Sequence, residues 1–379
     1  MRVAIVTETF LPQVNGVVRM LVEYLAYLEA HGHDAVVFAP GDGSHGDQSC
    51  HSFDIMHVRG AALPLYPELT LAPYSRRMHG VLREWRPDIV HLAGPFVLGA
   101  QGLSVARALG IPIAAHYQTD LARYAGHYGL GAFTGLAWRR LLTIHNGCDV
   151  TFAPTASVAR ELRERGMRRV HICGRGVDTD SFHPMYRASL LRERLGGNGD
   201  APLMLYVGRL SAEKNLAALV AVARALPQYT LAIVGDGPSR AELTADTAGL
   251  NVRFMGALRG QELAAAYASA DLFLFPSQTE TFGQVVREAM ASSLPTVGVR
   301  AGGVQDLITA GRTGLLGPPD DPAAFVEAAR ALAADPVLRY AMGAAARREA
   351  EGHTWRSIFD RLMGWYAGMA TPQQLVTSD

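Results

Sequence analysis

A chain of 379 residues, 49% hydrophobic and 18% charged, is long enough for two domains and apolar enough to bury parallel strands. A formal net charge of +0 excludes proteins that bind nucleic acid through bulk positive charge. No uninterrupted apolar run approaches the ~18 residues of a membrane span. Cys50, Cys148 and Cys173 lack C-x-x-C spacing, which argues for a reducing compartment and against a disulfide framework or zinc site. The first strand starts almost at once, leaving no room for a signal peptide. The expected location is the cytoplasm.

In the first half, residues 3–6 read as a strand, and Gly16 opens a helix that runs to Leu28. Asn15-Gly16 stands where a G-x-G-x-x-G motif would be. Small residues there let the backbone approach a phosphate, although an ordinary strand-to-helix turn has the same look. Strands at 34–39, 55–58, 89–92, 111–115 and 150–154 alternate with helical stretches, which is the doubly wound α/β pattern. Residues 41–48 form a Gly/Asp/Ser loop. The stretch 73–87 is amphipathic and carries Arg76, Arg77, Arg83 and Arg86. Such a helix either covers a core or lies peripherally on an anionic membrane surface.

HYQTDLARYAGHY, residues 116–128, follows a strand. His116 sits at the strand's carboxyl end. A lone histidine is usually structural, but Asp120, Tyr124, His127 and Tyr128 lie close to it in sequence. Asp120 is a carboxylate able to position or deprotonate a substrate hydroxyl. RGVDTDSFHP, residues 175–184, is a turn without periodicity. Residues 198–202 are a polar linker to a second series of strands beginning at Leu203, Leu231, Val252, Leu272 and Thr296.

Two stretches of this second half carry chemistry. LMLYVGRLSAEKNL, residues 203–216, is a strand, a glycine and a loop holding Arg209 and Lys214. Lys214 is the sole lysine in a chain with 35 Lys and Arg residues. Where arginine serves as the generic basic residue, one lysine marks a position that wants a compact ammonium. Two cations on one turn suit a pyrophosphate. DLFLFPSQTETFGQVVREAMASSLPTV, residues 271–297, is a strand, a polar turn and a helix. Gly283 falls at the helix start, where free N–H groups face an anion. Phe282 and Gln284 flank it. Glu280 lies in the turn and Glu288 about two turns along the helix. Carboxylates accept and do not donate, so they suit sugar and ribose hydroxyls.

Glu280 and Glu288 form an E-x7-E pair, and GRLSAEKN spaces its Arg and Lys as a partner motif. With the opening MRVAIVTETFLPQVNGV, these resemble the retaining glycosyltransferases of family 4, over nearly the whole chain. The likeness is greatest to GDP-mannose-dependent α-mannosyltransferases of glycolipid synthesis, with sulfoquinovosyl-diacylglycerol synthases next. The resemblance implies the GT-B fold: two doubly wound Rossmann-like domains facing across a cleft. It implies an acceptor-binding domain over 1–183 and a nucleotide-sugar-binding domain over 184–352. A final helix, 353–370, would cross back onto the first domain through Ile358, Phe359, Leu362, Met363, Trp365 and Tyr366.

By the same resemblance, Gly16 approaches the donor phosphate, His116 touches the donor sugar, Glu280 meets the sugar ring and Glu288 the ribose. Phe254 and Met255 hold the base largely through backbone groups, and Arg259 adds a contact. The implied reaction moves a hexose, mannose from GDP-mannose foremost, to a lipid-linked or polyol acceptor with retention. Alternatives are a UDP-sugar-dependent glucosyl, galactosyl or sulfoquinovosyl transferase acting on a diacylglycerol-type lipid, and a non-catalytic nucleotide-sugar-binding subunit. A sugar-nucleotide epimerase shares the fold but is not expected to combine these motifs. The nominal D-x-D of Asp178-Thr179-Asp180 lies in the inter-domain turn, so neither a catalytic metal nor a cofactor is expected.

Overall fold

A computed structural model of the chain describes residues 1–13, 15–41, 48–63, 66–72, 74–118, 131–199 and 201–370. They divide into two units. The first is Met1–Gly174 together with the last helix from Ile358, and the second is Arg175–Ser357.

The first unit is built on β1 (Arg2–Thr7), β2 (Asp34–Gly41), β3 (Gln48–Cys50), β4 (Phe53–Arg59), β7 (Ile89–Ala93), β8 (Ile113–His116), β9 (Val150–Ala153) and β10 (Val170–Ile172). Their order in the sheet is β10-β9-β8-β7-β1-β2-β4-β3. All pairings are parallel except β3 on β4. β1 and β7–β9 are buried along almost their whole length, so they read as apolar runs without alternation, as parallel strands with both faces covered do. β3 and a separate antiparallel pair, β5 (Ala61–Leu63) with β6 (Tyr66–Leu71), have no counterpart in the sequence expectation. β3 and β5 are three residues long, and β3 stands at the edge of its sheet.

The helices α1 (Gly16–Ala30), α2 (Arg76–Trp85), α3 (Leu98–Leu109), α4 (Gly131–Gly147) and α5 (Ala156–Glu164) connect these strands. Asn15 caps α1, its Oδ1 accepting from the N–H groups of Val17 and Val18 at 3.0 Å each. Ser75 caps α2 by accepting from Met78 N–H. Met78 and Leu82 of α2 are fully buried in the core. The apolar stripe of this helix is therefore spent inside the unit, while Arg76, Arg77, Arg83 and Arg86 stay exposed.

The second unit has six strands, β11 (Leu203–Val207), β12 (Thr230–Val234), β13 (Val252–Gly256), β14 (Leu272–Phe275), β15 (Thr296–Val299) and β16 (Gly314–Gly317). They are all parallel, in the order β13-β12-β11-β14-β15-β16. Helices α6 (Ser189–Arg194), α7 (Ala217–Ala225), α8 (Arg240–Asp246), α9 (Gly260–Ser269), α10 (Gln284–Ala291), α11 (Pro322–Ala334) and α12 (Pro336–Glu351) surround the sheet. In chain order this is 3-2-1-4-5-6. Connections leave β11 and β14 in opposite directions and open a crevice between their carboxyl ends. The first unit has the same device between β1 and β7.

The break between units falls at Gly174, ahead of the boundary at 183 expected from the sequence. Residues 175–183 are tied to the second unit. Val177 N–H donates to His353 O at 3.0 Å. The Arg347 guanidinium donates to the carbonyls of Thr179, Phe182 and Ala291. Phe182 packs edge-on to Tyr267. The last helix, α13 (Trp355–Ala370), buries Ile358, Phe359, Leu362, Met363 and Tyr366. Phe359 packs at a tilt on Tyr24, and the Tyr27 hydroxyl donates to Asp360 at 2.6 Å. Trp365 is 42% exposed and lies against His171 at the margin of the first unit.

Candidate active site

The second unit's switch point is where the two chemical stretches meet. β11 ends at Val207, and Gly208 follows with its N–H on Val234 O at 3.0 Å. A side chain at Gly208 would strike the Tyr206 hydroxyl at 2.8 Å. The Tyr206 hydroxyl donates to Arg209 O at 3.1 Å and so fixes the turn that projects Arg209 into solvent. A short 3₁₀ turn, Ala212–Lys214, closes on Asn215 in the left-handed conformation. On the neighbouring strand, β14 ends at Phe275 and the polar turn 276–283 leads into α10. Asn215 Nδ2 donates to Pro276 O at 3.4 Å, and Thr279 Oγ1 donates to Glu213 O at 3.4 Å. The two loops are thus laced together.

At their centre the Lys214 ammonium pairs with Glu280 Oε1 at 2.5 Å, with Lys214 only 12% exposed. Arg175 is a second cation near this carboxylate. Burial pulls its pKa down to about 10, and the charge of Glu280 opposes that fall. Glu280 and Glu213, after burial itself, push the Tyr206 phenol well above the usual range. Lys214 and Arg175 therefore both act on one carboxylate, and Arg209 stands exposed on the loop that carries Lys214. That arrangement suits a ligand bearing both a diphosphate and hydroxyl groups.

Gly283 is the N-cap of α10 with φ 92°, ψ 60°, a left-handed conformation that favours glycine. The Glu280 loop is braced from behind by Gly302-Gly303 after β15. Gly303 N–H donates to Glu280 O at 2.7 Å. A Cβ at Gly302 would lie 2.5 Å from Glu280 O, and one at Gly303 would lie 2.1 Å from Thr281 O.

The remaining expected residues are placed less uniformly. Glu288 is 1% exposed and accepts from the Tyr267 hydroxyl at 3.1 Å. Phe282 is buried in the core of the unit, with the Arg287 guanidinium 5.9 Å from its ring. Its side chain packs inward, so a ligand contact at this position falls to the backbone. Gln284 is turned away to a structural bond, its Nε2 donating to Gly176 O at 2.9 Å. Phe254 and Met255 are half-buried at the end of β13, and Arg259 is exposed at the start of α9.

In the first unit, Gly16 is the exposed first residue of α1, and His116 is the buried last residue of β8. Asp120 lies outside the described residues. Sequence reasoning missed Glu8. This buried carboxylate at the end of β1 accepts from the N–H groups of Phe96, Val97 and Gly99 through Oε1 and of Leu98 through Oε2, at 2.7–3.2 Å. It caps α3 across the first unit's switch point. The chain thus fills that anion site with its own carboxylate.

Among the described residues no group of three or more His, Cys, Asp or Glu side chains is placed to hold a metal ion, and no helix is long and apolar enough to cross a membrane.

The family described as Glycosyltransferase Family 4 matches residues 14–181, and the family described as Glycosyl transferases group 1 matches residues 188–349. A GDP-mannose-dependent alpha-mannosyltransferase of Mycobacterium tuberculosis (strain CDC 1551 / Oshkosh) is 42% identical over 96% of this chain and 96% of its own. Sulfoquinovosyl transferase SQD2 of Arabidopsis thaliana is 33% identical over 92% of this chain and 70% of its own. Among solved structures, Anabaena Alr3699/HepE in complex with UDP is similar with a TM-score of 0.80 at 19% identity, over 97% of this chain and 100% of that one. Such a likeness speaks for the fold, which is GT-B. Two doubly wound sheets, the Arg209–Lys214 loop laced to the E-x7-E turn, and these relatives agree: the chain belongs to the family 4, group 1 glycosyltransferases and is a hexosyltransferase.

Proposed function

We propose that the enzyme transfers mannose from GDP-mannose to a lipid-linked or polyol acceptor with retention of configuration. The observation that carries the reading is the Lys214–Glu280 pair, with Arg175 near the same carboxylate, at the switch point where α10 begins. In this reading the diphosphate lies on Arg209, Lys214 and the α10 amides. Positive charge and amide dipoles stabilise the leaving group as negative charge grows on it, which is electrostatic catalysis. No metal is needed for that neutralisation. Glu280, released from Lys214 as the diphosphate takes its place, accepts from hydroxyls of the sugar ring. Glu288 serves the ribose, with Tyr267 orienting its carboxylate. His116 touches the donor sugar in this reading.

The donor is supported by the 42% identical mannosyltransferase. A second reading, a UDP-sugar donor and a diacylglycerol-type acceptor, is favoured by the 33% identity to SQD2. A thermal-shift panel of GDP-, UDP- and ADP-sugars decides between them, since a ligand at about 100 times its Kd adds roughly 2.7 kcal/mol. GDP-mannose is expected to give the largest shift, and GDP release is expected only when acceptor is supplied. A larger shift with a UDP-sugar overturns the first reading. We also propose that contact with a membrane, if the acceptor is a lipid, is electrostatic. The exposed α2 arginines are available to anionic headgroups, whereas Met78 and Leu82 are not available to acyl chains. Binding to anionic vesicles should then fall steeply with salt.

A further inference from the structure

His91 lies in the middle of β7, among residues that are all buried. A fully buried imidazole is costly unless both its nitrogens are bonded. Here both are. His91 Nδ1 meets the Tyr366 hydroxyl at 2.8 Å, and His91 Nε2 meets His116 Nδ1 at 2.9 Å. Tyr366 belongs to α13, and its ring stands edge-on to His91. His116 packs on Phe152. The sequence separates the ends of this chain of bonds by most of the protein's length, and the fold brings them together.

We infer that His91 and Tyr366 are positioning residues that hold the His116 ring in its Nε2–H tautomer. The inference rests on the placement of His116 at the reaction centre in the function proposed above. The direction of the relay follows from proton accounting. Burial pushes the Tyr366 phenol well above its usual range, so it keeps its proton. Among the described residues His91 is the hydrogen-bond partner of that hydroxyl, and a buried phenol proton needs an acceptor. The hydroxyl therefore donates to His91 Nδ1. Burial also pulls His91 down to about 3, so the ring is neutral and carries its single proton on Nε2. That proton is donated to His116 Nδ1. His116 is left with its own proton on Nε2, the nitrogen on the far side of its ring from His91. His116 is thus held as an imidazole that donates from Nε2 and accepts at Nδ1, a choice set by a residue on the last helix.

The test uses the full-length chain with ¹⁵N-labelled histidine. The ring nitrogen shifts report the His116 tautomer directly, apart from any activity. Wild type should show Nε2–H at His116. Tyr366→Phe and His91→Leu should each give a mixture of tautomers. His91→Gln should restore the single form, because an amide can accept from Tyr366 and donate to His116. In steady-state kinetics, His91→Leu should lower kcat by about tenfold or more, with donor KM within about twofold, and His91→Gln should recover most of the rate. An Nδ1–H tautomer at His116 in wild type, or one unmoved by both Tyr366→Phe and His91→Leu, overturns the relay. A tautomer that shifts without any change in kcat overturns the positioning role. If wild type turns over no nucleotide sugar, the function proposed above fails on its own, and the shifts still decide the relay.

Discussion

Lys214 holds Glu280 and, in our reading, exchanges that partner for phosphate oxygens. Lys214→Ala should leave the fold intact and lower kcat/KM by roughly a hundredfold, about 3 kcal/mol of transition-state stabilisation. Steady-state rates within about threefold of wild type would remove the diphosphate from this loop. The two glutamates should separate. Glu280→Gln should lower kcat and alter preference between epimeric donors, because it sits beside the reacting ring. Glu288→Gln should chiefly raise donor KM, because ribose does not change as the bond breaks, and Tyr267→Phe should shift KM in the same direction. Altered epimer preference in Glu288→Gln alone would reverse the assignment. The two loops that carry Lys214 and Glu280 were legible from the sequence, because a sole lysine and an E-x7-E spacing are local signals. Arg175 was not, since its turn has no periodicity and its partner Glu280 lies far along the chain. Nor was the burial of Phe282, whose place at the start of a helix does not say which way its ring turns. Glu8 escaped for the same reason as Arg175, its four amide donors being some ninety residues away.

At the level of elements, the carboxyl-edge loops are set by backbone contacts that leave no room for side chains. Gly303→Ala would drive a methyl group to 2.1 Å from Thr281 O. The Glu280 turn should yield, costing about 1–3 kcal/mol of stability and weakening the donor-induced thermal shift. Chemical denaturation of the variant with and without donor measures both, and an unchanged shift would mean that the turn need not be braced. Glu8→Ala should destabilise the first unit by about 1–3 kcal/mol by orphaning buried amides at the start of α3. The central strands were readable because parallel strands buried on both faces leave uninterrupted apolar runs. The edge strand β3 and the β5–β6 pair leave no such trace. The Gly302-Gly303 dipeptide was visible, but only the packing shows that it backs the loop of Glu280.

For the molecule as a whole, the described residues of the first unit include two fully buried imidazoles. Burial holds His91 at about 3 and His145, bonded to Thr151 Oγ1, at about 4. Both fall below the unfolded value near 6.5. The unfolded chain therefore gains protons first as pH drops, and stability present above about 6.5 is lost progressively down to about 3. Denaturation of the first unit should show this slope, and His145→Gln should flatten part of it. A pH-independent unfolding free energy across that window would contradict the buried neutral state.

The same unit is discontinuous. Residues 1–174 are completed only by the helix from Ile358, which supplies Phe359, Met363 and Tyr366 to Tyr24 and His91. Arg175–Ser357, by contrast, is one uninterrupted stretch. During synthesis the usual order, in which the amino-terminal domain folds first, is therefore reversed. The later stretch can finish folding while the earlier one waits on the ribosome for its last helix. A nascent chain stalled after residue 357 should resist protease across 175–357 and be cut within 1–174, and release of residues 358–370 should protect the remainder in a single step.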